Sequence, residues 1–319
     1  MVQFLIKRFI GLIFVVVGVT FITFILGYFA PGDPIRDLLG THFNETTYLA
    51  LKHAYGLDLP WYQQYLNFLG NLFRLRFGYS FQYQNRSVAS ILAEGVPVSA
   101  ELGFWALVIA VGVGVPLGIL SALRANTWLD TVNMGTMLVF YALPSFVLAV
   151  FAQVLIVTID LHTGGSWPVS GWGNPWQYTP SDISFKLVPI LVFAAGLVAF
   201  IARITRASML EVLRQDFVRT ARAKGLSERA VIYRHALRNG LIPLLTVIGV
   251  LLGTLVTGAF FIENIFNIPG IAYETIISIG TRDYPVIQAT VVVLAVGVVI
   301  GNLLADIFYS LADPRIKIQ

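Results

Sequence analysis

The sequence predicts an all-α integral membrane protein with six transmembrane helices, and three observations carry that reading. Hydrophobic residues fill 57% of the 319 positions and charged residues only 12%, with a mean hydropathy of +0.77. Six stretches lack Asp, Glu, Lys and Arg over lengths near the ~20 residues that cross the hydrocarbon as a helix. Between the fourth and fifth stands a charged island, Arg203 to Asn239, holding nine of the chain's 21 Lys and Arg.

Lys7 and Arg8 precede 24 uncharged residues, Phe9 to Gly32, so residues 1–30 are read as the N-terminus and first span. A signal peptide has a similar basic start but an apolar region of about 7–15 residues, so no cleavage is expected. Pro31, Gly32 and Pro34 end the helix. Residues 31–97 are polar and aromatic, too long for a turn, and read as an external segment. Within it Trp61, Tyr65, Phe68 or Leu69, and Leu72 recur at helical spacing. They predict an amphipathic helix lying on the membrane or over the mouth of the bundle.

Residues 98–319 hold the other five spans. The second, Leu102 to Leu123, carries Gly114 and Gly118 four apart, a face on which another helix can approach closely. The third, Thr131 to Ile159, is longer than a straight crossing needs, which predicts a tilt or a kink near Pro144. Carbonyls freed there would line a route through the bundle; a plain packing bend is the competing reading. Trp167, Trp172 and Trp176 in the Gly- and Pro-rich stretch Leu161 to Asp182 suit a membrane interface. The fourth span has only 16 uncharged residues, Leu187 to Ala202, and crosses only if Lys186 and Arg203 reach outward to opposite headgroup layers.

The island, 203–240, reads as helix, tight turn, helix. Strong helix formers run from Ser208 to Lys224, and Gly225 supplies the left-handed residue that ends a helix. Ser227 caps the next helix, a bond typically worth about 1 kcal/mol, and Glu228 adds negative charge to its first turn. The fifth span, Asn239 to Ile262, bears Gly249 and Gly253, then Thr254, Thr257 and Gly258, residues that serve tight packing or a polar route equally well. In the sixth, Asn302 and Asp306 stand one turn apart and are read as a structural hydrogen-bond anchor. With both termini and the island in the cytoplasm, fourteen basic residues lie inside and seven outside, the asymmetry that orientation requires.

Several functions lack their chemistry. The net charge of +4 sits mostly in the cytoplasmic segments, which leaves no case for a nucleic-acid partner. There is no cysteine, and the four histidines (His42, His53, His162, His235) are scattered, so no metal site is expected. No Gly-Lys dipeptide occurs, hence no P-loop for ATP phosphates. No catalytic residue or cofactor of its own is expected. A self-sufficient secondary transporter or channel would need ionisable groups at mid-membrane, and the spans have almost none. An intramembrane enzyme would need a polar catalytic set, for which Asn302 and Asp306 do not suffice.

The island carries a resemblance. RTARAKGLS from Arg219, followed by HALRN from His235, is similar to the cytoplasmic "EAA" coupling loop of ABC importer permeases, in the form found in the dipeptide, oligopeptide and nickel group. Arg219 and Thr220 stand where the wider superfamily has Glu-Ala, and Arg238 stands where it has proline. APGDP at Ala30, GLDLPWYQQY at Gly56, FFIENIFNIPGIA at Phe260, TRDYPVI at Thr281 and the DPR ending resemble the same group, although Ala272 replaces a glycine common there. The resemblance implies the type I ABC importer permease fold and a role as the B-type permease subunit of a peptide importer in a bacterial or archaeal inner membrane. It also implies its partners: a homologous second permease subunit, two ATP-binding subunits that hold ATP and Mg, an extracytoplasmic substrate-binding protein, and membrane lipid. Carried over, Arg219, Thr220, Ala221, Arg222, Gly225 and Leu226 would couple this chain to the ATPase subunits, Ala221 letting the helix sit close to its partner. Pro144, Gly249, Thr254 and Thr257 are the candidates for the substrate pathway. Dipeptides, longer peptides, glutathione and nickel complexes all remain open as cargo.

Overall fold

The computed structural model describes residues 2–83, 85–254 and 259–312. The first helix, α1 (Val2–Phe29), is apolar on every side. Asp33 then caps α2 (Pro34–Leu39), accepting bonds from the Ile35 and Arg36 amides. A 3₁₀ turn, Gly40–His42, leads to α3 (Glu45–Ala54) and α4 (Trp61–Phe73). Tyr65 of α4 is buried and donates its hydroxyl to the Val17 carbonyl of α1 at 2.8 Å. The segment read as external is therefore folded against the first span.

Helix α5 (Val88–Leu123) runs 36 residues and begins inside the segment read as 31–97, with Ser87 as its cap and Pro97 within it. The uncharged run from Leu102 marks only its inner part. Glu94 and Glu101 interrupt the hydropathy without interrupting the helix, because Glu94 pairs with Arg86 and Glu101 with Lys186. The third span is two helices, α6 (Trp128–Ala142) and α7 (Ser145–Thr163), with Leu143 and Pro144 extended between them at ψ 124 and 138. The expected kink is thus a full break, at the residue that lacks an amide hydrogen.

Helix α8 (Pro180–Leu213) opens with a capping box between Thr179 and Asp182 and continues for 34 residues into the basic stretch. Here one expectation fails. Lys186 does not reach outward; it is 2% exposed and donates to Glu101 Oε1 at 2.8 Å and to the carbonyls of Asn174 and Gln177 at 2.8 and 2.7 Å. A buried ammonium is tolerated only when its donors are met, and all three are. Arg203 does stay exposed, its guanidinium 4.0 Å from the Tyr141 ring centre. Nor is Trp172 interfacial. It is 1% exposed and donates Nε1 to Glu101, while Trp167 and Trp176 are exposed as the sequence predicts.

The basic stretch folds as α9 (Asp216–Ala223), α10 (Glu228–Ala230), a π-helical turn (Val231–Ala236) and α11 (Leu237–Gly240), followed by α12 (Ile242–Thr254). The helix expected from Ser208 to Lys224 is split, since its first part belongs to α8 and the chain turns at Arg214 and Gln215 before α9. Then come α13 (Phe260–Ile265), α14 (Ile271–Thr281) and α15 (Tyr284–Ala312). Among the described residues five helices are long and apolar enough to cross a membrane, and six are reached if Glu228–Gly240 and Pro243–Gly253, bent by 44° to each other, count together as one broken span.

Helices α5 and α8 form the spine. A Cβ on Gly114 would come 2.9 Å from the Val198 carbonyl, and one on Gly118 would come 2.5 Å from that of Ala202, so the two backbones touch along this face. Gly253 of α12 likewise abuts Gly301 of α15, where a Cβ would find the Gly301 Cα at 3.3 Å. At Gly253 the small face serves packing.

Candidate coupling surface

The candidate coupling residues cluster on α9 and the turn after it. The turn closes by two bonds, Leu226 N to Ala221 O at 3.4 Å and Gly225 N to Arg222 O at 2.9 Å. This is the Schellman pattern, and it requires a left-handed residue, which Gly225 supplies at φ +77. Ser227 then caps α10, its Oγ accepting from the Ala230 amide, as the sequence predicts. Arg222 reaches across the turn and grips Glu228 with both ends of its guanidinium, at 2.7 and 3.2 Å. That hydrogen bond pushes the Arg222 guanidinium up from its ordinary value.

The surface is amphipathic in a particular way. Val218 and Ala221 are buried, seated with Val231 and Ala236 against Ala122 of α5 and Met209 of α8. Ala221 therefore faces its own chain, and its small side chain lets α9 lie close to the membrane helices. The opposite side presents Arg219, Thr220, Arg222, Gly225 and Leu226, all exposed, with Phe217. Thr220 turns its hydroxyl back to the Asp216 carbonyl, and Arg219 stands 3.7 Å from the Asp216 carboxylate with both side chains largely in solvent. Such a pair contributes little. What remains is a rigid short helix and turn with exposed cations and two apolar side chains.

Two contacts fasten this surface to the bundle. Ser208 donates to the Gly240 carbonyl at 2.7 Å. Arg206 of α8 holds Asp130 of α6 by two bonds, at 2.7 and 2.6 Å. The pathway candidates are scattered by comparison. Pro144 is exposed at the α6–α7 break and Gly249 is buried in α12. Thr254 ends that helix, its side chain outside the described residues, as is that of Asp306, and Thr257 lies outside them entirely.

The end away from the basic stretch holds buried carboxylates that the sequence reading passed over. Glu101 accepts from Lys186, the Trp172 indole and the Trp176 amide. Glu263 accepts from Ser99 Oγ at 2.7 Å and from the Ala259, Ala272 and Tyr273 amides, so it caps α14 from outside. Ala272 sits in the first turn of α14, where a side chain is no hindrance, and the glycine expected there is not needed. Asp283 binds the Ser80 hydroxyl and the Phe81 and Gln82 amides. A signal for the first pair was present: Glu101 and Lys186 are opposite charges, each standing immediately before an uncharged run.

Comparison with known proteins gives this architecture a family. A model described as "Binding-protein-dependent transport system inner membrane component" matches residues 114–318, and its N-terminal companion matches residues 1–103. The dipeptide transport system permease protein DppB of Bacillus subtilis (strain 168) is 40% identical over all of this chain and 99% of its own length. The oligopeptide transport system permease protein AppB of the same organism is 34% identical over 99% of this chain and all of its own. DppB of Escherichia coli (strain K12) is 34% identical over 99% of each. Among solved structures, an inward-facing form of the MetNI methionine ABC transporter superposes with a TM-score of 0.55 at 18% identity, covering 70% of this chain and 97% of the other. An amino acid ABC transporter gives 0.51 at 16%, covering 72% and 95%; these two speak for the fold. The chain belongs to the inner-membrane components of binding-protein-dependent transport systems, the permease subunits of ABC importers, whose ATPase resides in separate subunits.

Proposed function

We propose that this permease imports di- or oligopeptides, or related small solutes, and that α9 with its turn is the contact through which ATP-binding subunits drive it. The cargo reading is supported by relatives whose names specify dipeptides and oligopeptides, aligned over nearly the whole chain. The working complex has this chain beside a homologous permease subunit, two ATPase subunits holding ATP and Mg, and an extracytoplasmic binding protein. The basic stretch and both termini face the cytoplasm of a bacterial or archaeal cell, as the fourteen-to-seven charge asymmetry favours.

The observation that carries the coupling role is the exposed face of Arg219, Arg222 and Leu226 on a turn locked by Gly225, because a rigid helix seated in a partner's cleft transmits displacement. Leu226→Glu should leave the amount of chain in the membrane unchanged, weaken co-purification with the ATPase subunits and reduce uptake severalfold. Gly225→Val, which forces a β-branched residue to positive φ at a cost of about 1–2 kcal/mol, should act in the same direction. Native uptake by both variants would remove the coupling role.

For the route we propose the α6–α7 break at Pro144 together with the stretch that carries Gly249, Thr254 and Thr257. A polar solute needs hydroxyls and free carbonyls rather than leucine and valine. Thr257→Trp should lower uptake while assembly stays normal; native uptake rates with Trp at both Thr254 and Thr257 would exclude that stretch.

A further inference from the structure

The amphipathic helix α4 has three faces, and one of them is unaccounted for. Tyr65 and Leu72 turn toward the rest of the chain and are buried, Tyr65 against α1. Gln64 and Asn71 line a cavity of about 560 Å³ shared with Asp33 and Lys52. The third face carries Tyr62, Leu66 and Phe73, exposed at 49, 62 and 66%, with Leu69 half-buried between them. These positions fall on one stripe of a helix. The next stripe, Gln63, Asn67 and Arg74, is polar.

Helix α1 serves as a depth gauge. Its spanning part, Arg8–Phe29, is 22 residues, about 33 Å at 1.5 Å per residue, close to the ~30 Å of the hydrocarbon. The residues of α1 that meet α4 are Val17, Thr20, Phe21 and Phe24: Tyr65 donates to Val17 O and lies 3.2 Å from Thr20 Oγ1, and its ring is 5.2 and 5.3 Å from those of Phe21 and Phe24. Counting back from Phe29, Phe24 is about 8 Å and Val17 about 18 Å inside the span. Trp61, 6.5 Å from Phe21, lies at a similar level, about 12 Å inside the span. Asn71 shares the cavity with Gly27 and Tyr28 and marks the shallow end of α4. Arg74 and Arg76 follow, exposed and without a carboxylate partner among the described residues.

We propose that α4 is a half-inserted lipid anchor: its Tyr62–Leu66–Leu69–Phe73 stripe is embedded in acyl chains of the leaflet away from the basic stretch, and Arg74 and Arg76 meet lipid phosphates there. The stripe continues the lipid-facing surface of α1, where Ile22, Leu26 and Phe29 are 60, 68 and 72% exposed. A soluble partner does not reach so far below the end of a span, whereas an amphipathic helix can bury its apolar face in a leaflet, and packing on α1 carries α4 deeper than the ~5–10 Å of a helix lying free at the interface. The polar side of α4 then forms the wall of the cavity, so the helix separates a wet vestibule from the lipid.

The chain has no cysteine, so nitroxide labels can be placed singly in the intact transporter, with the cysteines of the other subunits removed, in phosphatidylethanolamine–phosphatidylglycerol vesicles. Labels at Leu66→Cys and Tyr62→Cys should collide with oxygen severalfold more than with a water-soluble nickel chelate, relative to Gln63→Cys, where the order should reverse. Nickel access at Leu66 and Tyr62 equal to that at Gln63 overturns the proposal. Shielding from both reagents also overturns it and assigns the stripe to a second permease subunit; shielding that arises only on adding the binding protein assigns it to that partner. The measurement uses neither ATP nor transport, so it stands apart from any failure of the coupling role.

Discussion

At the basic end, α9 and its turn are seated by Val218, Ala221, Val231 and Ala236 while Arg219, Arg222 and Glu228 stay in solvent; at the opposite end Glu101, Lys186, Glu263 and Asp283 are buried while Trp167, Trp176 and Tyr178 face outward. Burial without a partner is costly for a charge, so Glu101, Glu263 and Asp283 are each surrounded by donors from a loop or a helix start, whereas Glu274 Oε2 at the same end is buried without one. The result is a set of fixed points that tie loops to spans in a chain with no disulfide. The basic end, apart from the Arg206–Asp130 pair that fastens it, has its charges outside and an apolar seat, which leaves Arg219 and Arg222 facing solvent. One end pairs most of its buried charges within the chain, and the other presents its charges to solvent.

That contrast can be broken most forcefully at Lys186. Lys186→Met leaves Glu101 buried with its cation removed, a loss of about 3–5 kcal/mol. The variant should accumulate poorly in the membrane and melt early in detergent, and pairing it with Glu101→Gln should restore much of the loss; a native melting temperature for the single variant would mean the pair is not an anchor. At the basic end the corresponding perturbation is steric. Ala221→Leu overfills the cluster around Met209 and should cost about 1–3 kcal/mol, read as a lower melting temperature in the isolated chain. Were Ala221 instead a partner contact, the isolated chain would melt normally and only assembly would suffer. The smallest effect is expected at Glu228→Gln. It removes a pair whose side chains are 44 and 58% exposed, so solvent already screens it and any small drop in melting temperature should vanish in added salt. A larger, salt-resistant loss would show that the turn depends on charge after all.

The same contrast explains what was legible in the sequence. Glycines at a left-handed turn or a helix contact announce themselves by spacing, so Gly114, Gly118 and Gly225 were readable and stand as expected. Ser227 was readable as a cap for the same local reason. Long-range pairing is not a local property, and the sequence reading placed Lys186 at a headgroup layer because the shared position before an uncharged run, which links it to Glu101, shows only when the two distant charges are compared. The inner reach of α8 and the early start of α5 were missed through the same cause, since charge was taken to end a helix when it had merely found a partner. Ala221 was assigned to a partner from the family pattern, and only the packing of α9 against Met209 shows that it faces inward.

The 34-residue course of α8 carries a mechanical consequence. A straight rod of that length is about 50 Å long, and it bears the Lys186 anchor near one end and the floor of the α9 seat, Met209, near the other. If α8 tilts as one body with α5, to which Gly114, Gly118 and the Lys186–Glu101 pair hold it, about 10° sweeps its two ends through a combined distance of about 9 Å. A push delivered at the α9 seat would then be expressed as a displacement of the tryptophan-rich loop at the other end, with no signal needing to pass from residue to residue.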